Sequence, residues 1–297
     1  VSATGPFGLQ QTTPPGALPC PRLCLQSVHS CLASVQSIHT RPMSAPFQPA
    51  QALLLAAGRG NRMRPLTDHT PKPLLAVQGR PLIEWPMRAL AAQGFAHVLI
   101  NTGWLGQQLP ARFGRQYAHG EGLPDTRLTY SREDIDFGSA LETAGGIVRA
   151  LPQLDDVFWL AAGDVHAPDF VFARADYDRF AAGDALAHLW LVPNPAHNPA
   201  GDFALDADGR ARDTDTAKGG SALPRHTYST MGLFKKALFA APYCNIPAGN
   251  PQGVVAPLAP VLRAGMAQGR ISASLYTGRW ADVGTPQRLA ELNEPLA

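Results

Sequence analysis

A chain of 297 residues, 45% hydrophobic, has enough apolar material for one large α/β core or two small ones. Its formal net charge of +2 is too small to gather nucleic acid, so its cations matter locally. No apolar run approaches the ~18 residues that cross a bilayer. The expectation is therefore a cytoplasmic protein without membrane or nucleic-acid partners, a monomer or a homodimer.

Residues 1–50 differ from the rest. They are rich in Pro, Ser, Gln and Thr, and no Asp or Glu precedes Asp68. Cys20, Cys24 and Cys31 stand here with His29 and His39, but their spacing fits no common metal-ligand pair. No basic stretch precedes a clean apolar core, which argues against a secretory signal. The segment reads as a disordered or mis-called leader, with Met43 as the natural start and 51–297 as the working domain.

From residue 51 the pattern alternates. Short buried strands are predicted at 52–56, 98–101, 127–131 and 157–161, with helices at 82–93, 106–113 and 143–151. That order predicts an α/β, Rossmann-like, doubly wound and mostly parallel sheet whose strand ends carry the site. Strands at 187–192, 202–205 and 228–234 follow without comparable helices, and predict a small antiparallel lobe. Helices at 257–267 and 286–292 close the domain.

The chemistry is concentrated after the first strand. Leu53-Leu54-Leu55-Ala56-Ala57-Gly58-Arg59-Gly60-Asn61-Arg62-Met63-Arg64-Pro65-Leu66-Thr67 is followed by Pro71-Lys72-Pro73. Gly58 and Gly60 let backbone N–H groups approach an anion, and Arg59, Arg62, Arg64 and Lys72 are opposed only by Asp68. The loop suits a polyphosphate, with a nucleoside triphosphate as the candidate. It is not G-x-x-x-x-G-K-[ST]. Nor is it G-x-G-x-x-G, because Met63 stands where the third glycine belongs. The histidines form no H-x-x-x-H pair, and Ser139, Ser221 and Ser229 lack a G-x-S-x-G setting, so acyl transfer is not expected.

This string resembles the signature of the sugar-1-phosphate nucleotidyltransferases. The resemblance continues through Leu141-Glu142-Thr143-Ala144-Gly145-Gly146, Ala162-Gly163-Asp164 and Trp280-Ala281-Asp282-Val283-Gly284-Thr285-Pro286, covering about residues 51–294. Within the family, Trp104-Leu105-Gly106-Gln107-Gln108, Glu142-Thr143 and Gly201-Asp202-Phe203 are similar to the branch that uridylylates N-acetylmuramic acid α-1-phosphate.

The resemblance implies a nucleotide-diphospho-sugar transferase (GT-A-like) fold, a triphosphate and a sugar 1-phosphate as substrates, and Mg2+ held by Asp164 and Asp282. It gives Arg62 and Lys72 to the phosphates, with Arg59 and Arg64 in support. Ala56, Ala57, Gly58, Gly60, Asn61, Gly145 and Gly146 fall to the nucleotide, although the two helical glycines also suit close packing. Glu142, Asn194, Asp202, Tyr228 and Gly232 fall to the sugar. Many relatives carry a second lysine for the sugar phosphate; Lys218 is the only lysine in that region, and its Gly-rich surroundings depart from the family's pattern. Guanylyl transfer to mannose 1-phosphate, thymidylyl or uridylyl transfer to glucose 1-phosphate, and a non-catalytic nucleotide-sugar sensor stay open as alternatives.

Both reactants are anions, so positioning and charge neutralisation must carry the reaction, with no covalent protein nucleophile. Unit charges ~4 Å apart interact by ~1 kcal/mol in water and ~4 kcal/mol in a partly desolvated site. One arginine is therefore not enough, whereas several enclosed cations and a divalent ion are.

Overall fold

Seven residues, AQALLLA, form β1 (Ala50–Ala56). Ala52, Leu54 and Ala56 join the core on one side of the strand, while Ala50 and Leu53 join the core on the other. An apolar run covered on both faces is what a parallel strand inside an α/β sheet requires. The structure, a computed structural model, describes residues 48–213 and 223–294. The leader up to residue 47, with its cysteines and histidines, lies outside the described residues, as do Lys218 and Ser221.

A short hairpin follows, β2 (Ala76–Val77) and β3 (Arg80–Pro81), and then α1 (Glu84–Ala92), β4 (His97–Thr102) and α2 (Gln108–Phe113). Next come β5 (Gln116–Tyr117), β6 (Thr126–Arg132), α3 (Glu133–Phe137), α4 (Glu142–Ala150) and β7 (Leu154–Ala162). The second half holds β8 (Val165–His166), α5 (Arg174–Ala182), β9 (Ala187–Val192), β10 (Phe203–Leu205), β11 (Ala211–Arg212) and β12 (Arg225–Lys235). It closes with α6 (Leu258–Ala267), β13 (Ile271–Leu275), β14 (Ala281–Asp282) and α7 (Pro286–Asn293).

Ten strands make one mixed sheet in the order β11-β10-β12-β7-β1-β4-β6-β5, with β9 beside β12 and β13 beside β9. β1 lies parallel between β4 and β7, and β4 is parallel to β6. Ile147 of α4 and Val261 of α6 pack on one face of the sheet. Met87 of α1, Leu109 of α2 and Phe180 of α5 pack on the other, so the sheet is doubly wound. A third, small core of Met63, Val77, Leu82 and Val283 ties the loop after β1 to the segment after β14.

The antiparallel strands are continuous with the main sheet, because β12 is 11 residues long and serves both halves. Residues 231–235 pair with β7, while Arg225 and His226 pair with β10. Between these stretches the register against β9 shifts from Tyr228 to Gly232. The two-residue strands, α3, α5 and β13 carried no expectation from sequence. α5 buries only Tyr177 and Phe180, a weak helical period, while β13 alternates Ile271 and Ala273 with serines over only five residues. Among the described residues no helix is long and apolar enough to cross a membrane.

Candidate active site

A cleft of about 1120 Å³ opens at the carboxyl ends of β1, β4 and β7, the position at which open α/β sheets bind ligands. Its first wall is the loop after β1. Gly58 has open space where a Cβ would stand, leaving room for a ligand against its backbone. Gly60 has φ +66°, and a Cβ there would come within 3.2 Å of Thr67 Cγ2 and 3.3 Å of Lys72 Cβ. Only glycine fits both demands. Met63 is fully buried in the third core, which explains why it interrupts the glycine pattern: it anchors the loop and leaves Arg62 and Arg64 exposed on either side.

The loop cations are not equivalent. Arg64 Nε donates to Asp68 at 2.7 Å. The Arg59 guanidinium lies 3.5 Å from the centre of the Trp104 ring and donates to Asn61 Oδ1. Arg62 has no hydrogen bond or ion pair among the described residues, so its charge is uncommitted.

Lys72, with a buried stem between two prolines, places Nζ 2.6 Å from Asp164 Oδ2. β8 and β14 then bring the backbones of Asp164 and Asp282, distant in sequence, next to each other. Val165 pairs with Asp282, and Val283 N–H donates to the Asp164 carbonyl at 3.1 Å. Arg288 Nη1 reaches both Asp282 carboxylate oxygens, at 2.8 and 2.9 Å, and His197 Nε2 lies 3.0 Å from Oδ1. A Cβ on Gly284 would stand 3.0 Å from Arg288 Nη1, 3.2 Å from Asp282 Oδ2 and 3.5 Å from Arg62 Nη2. Arg62, Asp282 and Arg288 thus converge on one glycine of the cleft wall.

Among the described residues no three His, Cys, Asp or Glu side chains form a closed metal cage. Two partly exposed carboxylates on a shared ladder instead suit Mg2+, which takes one or two carboxylates and completes its shell with phosphate and water.

At the base of the cleft, Asn101 Oδ1 accepts from Ala56 N–H at 2.7 Å, and its Nδ2 donates to Glu133 Oε1 at 2.8 Å. Glu133 is fully buried, and Oε2 accepts from Leu141 N–H at 2.8 Å. Desolvation by burial holds its carboxyl above the ordinary range. On the far wall, Asp202 accepts from Tyr228 N–H at 2.8 Å and from Asn198 Nδ2 at 3.1 Å. The Tyr228 hydroxyl is buried without a hydrogen-bond partner among the described residues, and burial pushes its pKa well up. Two non-glycine residues of the wall have left-handed backbone, Glu142 at φ +61° and Thr230 at φ +63°. Such conformations cost about 1–3 kcal/mol and cluster at functional sites.

Residues 52–187 match the MobA-like NTP transferase domain. Over 243 residues, 81% of this chain and 96% of the relative, the sequence is 44% identical to N-acetylmuramate alpha-1-phosphate uridylyltransferase of Neisseria meningitidis serogroup B. The chain belongs to the nucleotidyltransferase family. A second relative of this transferase, the protein of the same name from Caulobacter vibrioides, is 31% identical over 80% of this chain and 93% of its own. In fold the transferase is similar to a Bacillus anthracis protein described as a glucose-1-phosphate thymidylyltransferase, with a TM-score of 0.64 at 19% identity, covering 82% of this chain and 93% of that one.

Of the residues expected from sequence, Ala56, Ala57, Gly58, Gly60 and Asn61 line the transferase's cleft. Arg62, Lys72, Asp164, Glu142, Asp202 and Tyr228 line it too, and Asp282 stands beside its Gly284 wall. Four others belong to the frame. Gly145 and Gly146 sit inside α4, where a Cβ would come within 2.4 Å of the Val254 carbonyl and 2.5 Å of Glu133 Oε1 respectively. Close packing, the second use foreseen for them, is the one observed. Gly232 is likewise closed in, by Phe234 and the His188 carbonyl. Asn194 donates to the Pro199 and Arg225 carbonyls and accepts from Thr227, so its amide shapes the loop. Sequence reading missed Asn101, Glu133, His197, Thr230 and Arg288. Nothing in the spacing pairs His197 or Arg288 with Asp282; only the fold does.

Proposed function

We propose that this transferase moves a uridylyl group from UTP to N-acetylmuramic acid α-1-phosphate with Mg2+, giving UDP-N-acetylmuramic acid and pyrophosphate. The observation that carries this reading is the convergence of Arg62, Lys72, Asp164 and Asp282 at one end of a cleft whose far wall is built by other elements. The substrate pair follows from the two relatives that match along nearly their whole length.

In the reaction an oxygen of the sugar phosphate attacks the α-phosphorus. The bond from that phosphorus to the oxygen bridging to the β-phosphate breaks, and pyrophosphate leaves with the electron pair. Arg62, without a partner among the described residues, spreads its planar fork over the triphosphate and the departing pyrophosphate. Lys72 supplies a point charge fixed by its buried stem. Asp164 and Asp282 would hold Mg2+, which when bound adds positive charge at the phosphate oxygens. Ala56, Ala57 and Gly58 offer backbone to the nucleotide, while Glu142, Asp202 and Thr230 face the sugar.

The working unit is residues 51–297, acting in the cytoplasm, where nucleoside triphosphates are made. A chain begun at Met43 is expected to turn over as the full chain does. The deciding experiment measures pyrophosphate release for UTP, dTTP, GTP and ATP, each against muramate-, glucosamine-, glucose- and mannose-type 1-phosphates. Selective turnover of UTP with the muramate phosphate is expected, and should disappear in Asp164→Asn and Asp282→Asn while the fold persists. Turnover confined to another pair would replace the substrates. Binding of nucleotide sugar without any turnover would make the chain a sensor.

A further inference from the structure

His197 has no part in the mechanism above, yet it reaches the reaction end of the cleft. Asp282 sits on a strand of two residues, so side chains rather than a long ladder must aim its carboxylate. Arg288 holds both oxygens from α7. From the other side comes His197 Nε2, 3.0 Å from Oδ1, with the imidazole 32% exposed. His197 belongs to the loop between β9 and β10, whose last residues, Gly201 and Asp202, line the cleft.

That loop is braced internally and against β12. Asn198 Nδ2 donates to Asp202 Oδ1 and Thr227 Oγ1, each at 3.1 Å. Asn194 spans the same turn through Pro199 and Thr227. Asp202 and His197 are thus held in one braced loop, with His197 in contact with the Asp282 carboxylate.

We infer that His197 is a positioning residue that aims Asp282 at the metal and links that aim to the loop facing the sugar. The inference rests on the reading of Asp282 as a metal ligand. Partners of metal ligands typically change metal affinity about 10- to 100-fold when removed. Because one loop carries both His197 and the sugar wall, metal and sugar phosphate should each tighten the other, by the same factor in both directions.

The test reads metal binding directly. Mn2+ is titrated by electron paramagnetic resonance into the full chain with an unreactive UTP analogue carrying a methylene between the α and β phosphorus atoms. Wild type, His197→Ala, His197→Phe, His197→Gln and Asp282→Asn are compared, with thermal melting as a check of folding. His197→Ala and His197→Phe, which lack a donor, should weaken Mn2+ about 10- to 100-fold. His197→Gln, which keeps an N–H, should recover part of the loss. Muramate 1-phosphate should tighten Mn2+ in wild type and not in the donor-less variants. Wild-type-like Mn2+ affinity in both of those variants, with Asp282→Asn impaired, would overturn the inference. Unchanged affinity in Asp282→Asn would remove the metal assignment itself, and this inference with it.

Discussion

Four cations follow β1, and their partners predict how differently they will respond to removal. Arg62 has no protein partner among the described residues, so Arg62→Ala should leave the melting temperature nearly unchanged. It should lower kcat/KM about 100- to 1000-fold, as loss of a preorganised charge at a transferring group does. Arg64 is committed to Asp68 in an exposed pair, worth at most about 1 kcal/mol. Arg64→Ala should change kcat/KM only a few-fold. Steady-state kinetics with UTP and the muramate phosphate check both, and equal losses would show that the loop acts only as a diffuse positive patch. From sequence, composition alone made these four residues equal, and only the family resemblance set Arg62 and Lys72 above Arg59 and Arg64. What separated them was contact with Trp104, Asp68 and Asp164, and those partners lie in other turns or other strands. The glycines of the loop were legible because their use is local, whereas the use of Gly146 depends on Glu133 in a neighbouring helix.

At the scale of elements, the buried strands and most helices were legible because each shows its apolar period within a few residues. Less legible was the join between β1, β4 and α4. It depends on Glu133, which accepts from Asn101 and from Leu141 N–H while fully buried. Desolvation raises its folded pKa above the unfolded value, about 4.3. The folded state therefore holds that proton more tightly. The associated stability is fully present below the unfolded pKa and is lost as pH rises through the folded one. Asp169, held below the usual range by hydrogen bonds from Arg279, runs the opposite way, so total stability mixes both signs. A difference curve isolates Glu133. Glu133→Gln should be less stable than wild type by about 1–3 kcal/mol, because one donor loses its acceptor. That gap should narrow as pH rises from about 4.5 to 7, in urea unfolding at each pH. A gap that stays constant or widens would show that Glu133 is not the group titrating.

For the whole molecule, the boundary of the family match coincides with a change of architecture. The match ends at residue 187, where β9 begins, and covers the parallel strands β1, β4, β6 and β7 and the loop after β1. The second half, β9 to α6, builds the opposite wall, and there the choice of sugar should be made. Among the described residues two cations stand on that wall, Arg225 and Arg263. Arg225 holds the corner at 200–202 by donating to the Ala200, Gly201 and Asp202 carbonyls. Arg263, on α6, is 49% exposed and paired with Asp213 at 3.0 Å, an exposed pair contributing little to stability. A neutral sugar has no carboxylate for this cation to meet, whereas N-acetylmuramic acid carries a lactyl carboxylate. A charged hydrogen bond is worth about 1.5–3 kcal/mol. Arg263→Ala should therefore raise KM for the muramate phosphate about 10- to 100-fold. It should leave KM for UTP, and turnover of N-acetylglucosamine 1-phosphate, close to wild type. A rise shared by both sugars would make Arg263 a general part of the wall. A rise in KM for UTP would mean that the two halves do not divide nucleotide from sugar as the sheet suggests.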